Sequence, residues 1–242
     1  SSMNLRNTDF VEADLSGANL SGADLSNSDL SGARLTGVNL QGADLSGARL
    51  VGADLRRADL RNAELNDADF SGANLSFAIM TQSDLTGLTL RGADLTNTTL
   101  TEVNLAGTEL RGTSLINANL TGANLRDASL VGARLSGANI SGADLSNASL
   151  SGAYANMTNL GNANLRGARL SGASLIGTRL SSADLRDSHM EGAILIGANL
   201  SGADLRGADL TGVQLFPAEF NDDSILRIDE VLASLNALQR NQ

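Results

Sequence analysis

The carboxylates are the residues of this 242-residue sequence whose type and spacing suit them to chemistry. Seventeen Asp or Glu residues stand directly before the large apolar residue of a five-residue unit. Paired carboxylates do acid–base chemistry when they converge in a cleft, whereas a regular row of them forms a polyanionic surface. The spacing therefore favours binding of a basic partner over catalysis, and we expect no enzymatic activity.

Other catalytic and metal-binding groups are scarce. His189 is the only histidine and the sequence has no cysteine, so neither a Ser–His–Asp arrangement nor a zinc site of the usual ligands is expected. Neither GxGxxG nor GxxxxGK[ST] occurs. We expect no catalytic residue, cofactor or metal, and we interpret His189 as an ordinary outward-facing residue.

A five-residue repeat positions the carboxylates, and the stretch Ala13–Leu35 shows it most clearly. The repeat has 44 units centred on Leu5 to Phe220, and 40 of the centres are Leu or Phe. Ala fills 30 of the 44 positions two residues before the centre, and 25 of the 26 glycines lie two residues after it. A large and a small apolar residue per unit predict a narrow packed core. Glycine at one fixed place predicts the positive φ of the third position in a type II turn.

The distribution of glycine predicts how many sides the coil has. At positions 12, 32 and so on to 212, glycine fills 10 of 11 places, against 5 of 11 in each of the other three classes modulo 20. This favours a coil of 20 residues with four sides. About 11 coils at ~4.8 Å make a rod of roughly 53 Å. We number the sides by the residue before each centre: first (4, 24, 44…), second (9, 29…), third (14, 34…) and fourth (19, 39…).

One centre breaks the inner row. Ala155 stands where Leu135 and Leu175 predict another leucine. We interpret this as a local packing defect rather than a ligand pocket, with Met157 or a kink as compensation.

The tandem A(D/N)LxG motif resembles the pentapeptide repeat proteins over Leu5 to Phe220. The resemblance implies an all-β fold, a right-handed quadrilateral parallel β-helix (solenoid). That family includes quinolone-resistance proteins of the Qnr type, which look like duplex DNA and bind type II topoisomerase, chiefly gyrase. The resemblance therefore suggests a DNA mimic, although this sequence has no inserted loop.

Twelve of the seventeen acidic residues fall on the first and second sides. Toward the N-terminus the first side has only Arg6 as a base, whereas toward the C-terminus its acids alternate with Arg126, Arg166, Arg186 and Arg206. Asn occupies the same register elsewhere, so the fold does not require the charge. The sequence predicts a partner-binding acidic region, and the alternative is an ordinary solvated face. Its residues are Asp24, Asp44, Glu64 and Asp84 on the first side, with Asp9, Asp29 and Asp69 on the second.

The C-terminal end has a different character. On the third side Ile176, Ile194, Ile196 and Phe216 are predicted to face outward together, with Ile116, Tyr154 and Met157 further back. After Phe220 the period stops, which predicts a β-helix domain over 1–220 and an amphipathic α-helix over 221–242. The helix would cap the core, fold back on the apolar residues, or pair with a second copy as a homodimer. Its apolar residues are Ile225, Ile228, Val231, Leu232, Leu235 and Leu238.

Composition limits the partners. A net charge of −10 disfavours direct binding to nucleic acid. No apolar run approaches the ~18 residues of a membrane span, and no signal peptide is visible, so we expect a cytoplasmic protein. We conclude that the sequence predicts a non-enzymatic interaction rod with acidic faces, with DNA gyrase as the suggested partner. The alternative is a structural or regulatory scaffold that binds a protein through its apolar C-terminal region.

Overall fold

A computed structural model describes residues 3–81, 83–215 and 218. Within these ranges the chain forms no helix and no strand longer than one residue; single-residue bridges alternate with two-residue turns. Each residue directly before a unit centre, from Asn4 to Ile194, forms a parallel bridge with the residue 20 positions later. Four parallel ladders result, as the distribution of glycine predicts. The count of about 11 coils and the boundary at residue 220 stay predictions, because the last side of the last coil lies outside the described residues.

Up to three backbone hydrogen bonds per unit join successive coils. One is donated by the corner residue, as from the N–H of Asn7 to the carbonyl of Ser26 at 3.0 Å. The other two form a reciprocal pair. The N–H of Leu5 donates to the carbonyl of Asp24 at 2.7 Å, and the N–H of Asp24 donates back to the carbonyl of Met3 at 2.9 Å. The same pair recurs on all four sides along the rod. Because the ladders use these groups, the buried backbone is satisfied although each strand is a single residue.

The unit centres and the small residues before them fill the core. Leu45, Phe70 and Leu125 are 0% exposed, as is Ala123. Most coils therefore contribute four large and four small side chains to one continuous apolar interior. This confirms the core that the repeat predicts.

Ala155 is 1% exposed, as are Leu135 and Leu175 in the adjacent coils. Neither predicted compensation is found. Met157 is 71% exposed, because its corner position directs the side chain away from the core. The ladder also continues unbroken through Arg134, Tyr154 and Ser174, so the coil has no kink at this point.

The turns follow one pattern. The carbonyl of nearly every described centre accepts from the N–H three residues later, as between Ala13 and Phe10 at 3.0 Å. The residue two after the centre has a positive φ at every described position, whether or not it is glycine. A negative φ followed by a positive φ across this hydrogen bond defines a type II turn. The predicted turn is confirmed.

Most non-glycine residues at these corners are Asn or Asp, which tolerate the left-handed conformation. Phe77 is an exception, with φ at 62° and a side chain that is 54% exposed. A bulky residue in this region is strained by about 1–2 kcal/mol. Because about half of the Phe77 side chain is exposed, its burial offsets little of that strain.

We expect Phe77→Gly to raise the free energy of unfolding by about 1 kcal/mol, because glycine adopts this φ without strain. Urea denaturation of the two proteins measures the change. Gly37→Phe is the matched control, since it occupies the same corner and has no atom within 4 Å of the added Cβ. It should destabilise by a similar amount. A Phe77→Gly protein less stable than the native one would show that contacts of the ring outweigh the strain.

Threonine replaces alanine at several inward positions and uses its hydroxyl there. The Thr108 hydroxyl donates to the carbonyl of Leu85 at 3.0 Å, and Thr178 donates to that of Ala155 at 2.7 Å. Ser188 occupies an equivalent position and is 1% exposed. Its hydroxyl hydrogen-bonds to no group among the described residues.

Ser188→Ala should therefore raise the melting temperature, since it removes a buried polar group that costs about 1–3 kcal/mol when unpaired. Differential scanning calorimetry measures the shift. Thr108→Ala provides the comparison: it removes a satisfied hydroxyl and should lower the melting temperature. Equal decreases in both variants would contradict an unpaired Ser188.

Candidate protein-interaction surfaces

Four carboxylates stack on the first side of the coil, in four successive coils. The ladder joins Asp24 to Asp44, Asp44 to Glu64, and Glu64 to Asp84, and its next residue is Asn104. Strands joined in this way are ~4.8 Å apart. Asp24 and Asp44 are half-buried, whereas Glu64 and Asp84 are exposed. We call these four residues the acidic strip.

The turn explains why Asp suits this register. The N–H of Ser46 donates to Oδ1 of Asp44 at 2.9 Å. This hydrogen bond links two residues on either side of the centre, where the turn begins. Asn74 accepts the same bond from the N–H of Ser76 at 3.0 Å. Because the amide oxygen serves equally well, the turn needs the oxygen and does not need the negative charge.

Most of the acidic strip lacks a compensating cation. Arg6 lies 3.6 Å from Asp24. For Asp44, Glu64 and Asp84, no basic nitrogen lies within 4.0 Å in the part of the chain that is described. The N-terminal half of the first side therefore carries a concentrated negative charge.

Asp67 adds a further carboxylate that sequence reasoning missed. It is an exposed residue at the corner that follows Glu64, with φ at 58°. Our prediction considered only the residue before each centre, and the corner register was interpreted through its glycines alone. Counting every acidic residue modulo 20 would have found it.

The second side does not extend the acidic strip. Asp29 and Asp69 are separated by Arg49, which bridges to both in the ladder, and Nε of Arg49 lies 3.6 Å from Asp29. Asp9 stacks on Asp29 at the N-terminal end. The structure thus brings Asp9 and Asp29 together but interrupts the row before Asp69.

The C-terminal half of the first side is neutralised by arginine, as the sequence predicts. Arg186 lies 2.5 Å from Asp184 and 3.7 Å from Asp204, and Arg206 lies 2.5 Å from Asp204. The hydrogen bond from Arg186 lowers the pKa of Asp184, and the one from Arg206 lowers the pKa of Asp204. The two halves of one side thus differ in charge although they share a backbone.

These pairs predict a dependence of stability on pH. A carboxyl whose pKa is lowered in the folded state stabilises the fold above its ordinary pKa of about 3.9, and loses that contribution as the pH falls through the folded value. The same shift occurs at Asp54 and Asp59, each hydrogen-bonded by an arginine two residues later. We expect the melting temperature to be constant above about pH 5 and to fall between pH 4 and pH 2.

Circular dichroism at a series of pH values measures this dependence. Arg186→Gln should reduce the acid-induced fall, because it removes the donor that lowers the pKa of Asp184. Arg179→Gln, which leaves these pairs intact, is the control. A melting temperature that rises on acidification would contradict the direction of the shifts.

An apolar surface lies on the third side near the C-terminal end. Tyr154 is 57% exposed, Met157 71% and Ile176 37%, while Ile194 and Ile196 are half-buried. The ladder links Tyr154 to Ser174 and Ser174 to Ile194. These five apolar residues, which we call the apolar patch, face outward together as the sequence predicts.

The other residues predicted for this end lie outside the described residues, so the helix, the cap and the homodimer stay predictions. They are Phe216, Ile225, Ile228, Val231, Leu232, Leu235 and Leu238.

His189 is exposed, with Nδ1 3.8 Å from Glu191. Among the described residues, no group of His, Cys, Asp or Glu has the arrangement of a metal site. No helix with the length and apolar character for a membrane span occurs there either.

Comparison with known families decides the class of the molecule. The profile of the pentapeptide repeats family matches in tandem from residues 3–37 through 173–212. The chain belongs to this family. Pentapeptide repeat proteins fold as right-handed quadrilateral β-helices, and the four ladders described above are those of that fold. The matching family is defined by its repeat and not by a catalytic site.

Solved pentapeptide repeat structures resemble this one to different degrees. HetL, involved in heterocyst differentiation regulation in the cyanobacterium Nostoc sp., is 36% identical, with 93% of this chain and 92% of HetL covered at a TM-score of 0.56. QnrB1, a plasmid-mediated fluoroquinolone resistance protein, is 20% identical, with 91% and 96% covered at 0.44. A protein of the Arabidopsis thaliana thylakoid lumen is 30% identical, with 43% and 68% covered at 0.34. A search of curated proteins finds no match.

Proposed function

We propose that this pentapeptide repeat protein is a non-enzymatic interaction rod that binds a basic partner through the acidic strip. The observation that carries the proposal is the row of Asp44, Glu64 and Asp84, which stack in successive coils with no cation within 4.0 Å among the described residues. Like charges at this separation repel by about 1 kcal/mol in water. Because asparagine satisfies the same turn, the fold gives no reason to keep that repulsion.

A basic groove on a partner would relieve the repulsion and gain from the concentrated charge. Stacked charges focus the potential and raise the rate at which a cationic surface is encountered. The strip carries one charge per ~4.8 Å of rod, a regular spacing somewhat wider than the ~3.4 Å between phosphates of one DNA strand. A regular row of anions on a rod suits a groove that normally holds duplex DNA.

We propose a type II topoisomerase, DNA gyrase, as the partner. The support is the charge spacing together with the resemblance of the repeat to Qnr-type proteins. This partner would place the protein in the cytoplasm. The proposal does not extend to direct binding of nucleic acid, which the net charge of −10 disfavours.

A supercoiling assay with purified gyrase tests this function. The protein is titrated with and without a fluoroquinolone, at low and at high salt. Inhibition of supercoiling, or rescue from the drug, is expected at low salt and should disappear as salt screens the strip. No effect at micromolar protein would exclude gyrase as the partner.

A regulatory scaffold is the second candidate, and the apolar patch favours it. Exposed clusters of large apolar side chains commonly mark a contact surface, and HetL is involved in heterocyst differentiation regulation. Such a complex would use the third side. Salt distinguishes the two candidates, since an apolar contact survives the ionic strength that dissociates an electrostatic one.

A further inference from the structure

The apolar patch lies in a stretch of the third side without charge. Arg134 is the last charged residue on this side, and none follows it through the coils of Tyr154, Ser174, Ile194 and Gln214. The first side of the same coils carries Asp184 and Arg186. The third side is thus the surface of this end on which an apolar segment meets the least competing charge.

The described part of the rod also ends beside this patch. Leu215 is the last described centre and lies on the third side, and Ala218, the next small inward residue, packs against the core. Residue 217, in the corner register between them, is the only proline of the sequence. A proline ring fixes φ near −65°, which is incompatible with the positive φ of every described residue in that register.

We propose that residues 221–238 pack as an amphipathic helix along the third side, covering the apolar patch. The stripe from Ile225 to Leu238 would be ~20 Å long as a helix. The uncharged stretch between the coil of Leu215 and that of Arg134 spans four coil spacings, ~19 Å. The apolar stripe of this segment would therefore match the length of the uncharged stretch on the third side.

Charge favours this side over the second side, which adjoins it. The segment after Ala218 has five acidic residues and two arginines, so it is itself acidic. Glu191 and Asp209 on the neighbouring second side would repel it, whereas the third side has no charged residue in these coils. An apolar stripe in contact with the apolar patch also removes both surfaces from water.

The native tyrosine tests the proposal directly. The sequence has one tyrosine and no tryptophan, so the intrinsic fluorescence comes from Tyr154 in the patch. We expect acrylamide to quench it several-fold less effectively in the full chain than in Leu235→Asp, which places a charge in the stripe. Asn236→Asp adds the same charge beside the stripe and should quench like the native protein.

Circular dichroism confirms that each variant keeps the rod. Equal quenching of the native protein and Leu235→Asp would overturn the proposal. Protection of Tyr154 that is lost on dilution would overturn it as well, since it would show that a second copy covers the patch. Neither result bears on the acidic strip, which lies on another side.

Discussion

Replacing Asp44, Glu64 and Asp84 by Asn, Gln and Asn weakens binding to the basic partner by about 10- to 100-fold at low salt. The estimate takes ~0.5–1 kcal/mol for each neutralised charge, with about 1.4 kcal/mol for each factor of ten in affinity. Titration against purified gyrase, by supercoiling inhibition or by calorimetry, measures the loss.

The fold should not change in this variant. Asparagine keeps the acceptor for the N–H two residues later, as Asn74 and Asn104 already do. Removing three stacked like charges also removes repulsion between coils. The melting temperature should therefore stay equal to that of the native protein or rise slightly.

The matched control neutralises Asp144, Asp184 and Asp204, which lie on the same side of the coil. It changes the net charge by the same amount, but two of these carboxylates already pair with Arg186 or Arg206. We expect a much smaller loss of binding. An equal loss in both variants would show that net charge alone matters, and unchanged binding in the first would contradict the strip.

Ala155→Leu should raise the free energy of unfolding by about 2 kcal/mol. Replacing a buried leucine by alanine in a packed core costs about 2–5 kcal/mol, and Ala155 stands where that replacement has in effect occurred. The carbonyl and N–H of Ala155 keep the regular ladder and turn bonds, so the backbone already has the geometry of a leucine unit. Urea denaturation measures the gain.

Ala153→Leu is the control for this substitution. Ala153 is also 1% exposed, but it occupies the small inward position of the same unit, where a leucine would overpack the core by about 1–3 kcal/mol. The two variants should therefore change stability in opposite directions. Destabilisation by Ala155→Leu would show that the neighbouring side chains have closed around the alanine.

The strict period made most of this fold predictable. A residue's number modulo 5 states whether it is a core centre, a small inward residue or a corner, and its number modulo 20 states its side. The same rule, applied fully, would have corrected two errors. Met157 is a corner residue and therefore turns outward, and Asp67 is a corner residue on the acidic side.

Other features depend on interactions that the pattern does not encode. An arginine can pair with a carboxylate of its own coil or of the next coil. The sequence pattern therefore does not show which carboxylates Arg6 and Arg49 contact. The absence of cations beside most of the acidic strip, among the described residues, became visible only in the structure. The unpaired hydroxyl of Ser188 likewise depends on a rotamer, because Thr108 in the same register finds an acceptor. The identity of a partner depends on the surface of another molecule, which this sequence does not encode.

The ladders that join each residue to the one 20 positions later also constrain how this gene can change in length. Gain or loss of a single five-residue unit would fit the core but would turn everything downstream by a quarter of a revolution. Asp44 and Glu64 would then lie on adjacent faces. Duplication of a whole coil would lengthen the strip and keep it in phase. Selection that preserves a surface of this rod therefore acts on blocks of four units, although the repeat seen in the sequence is a single five-residue unit.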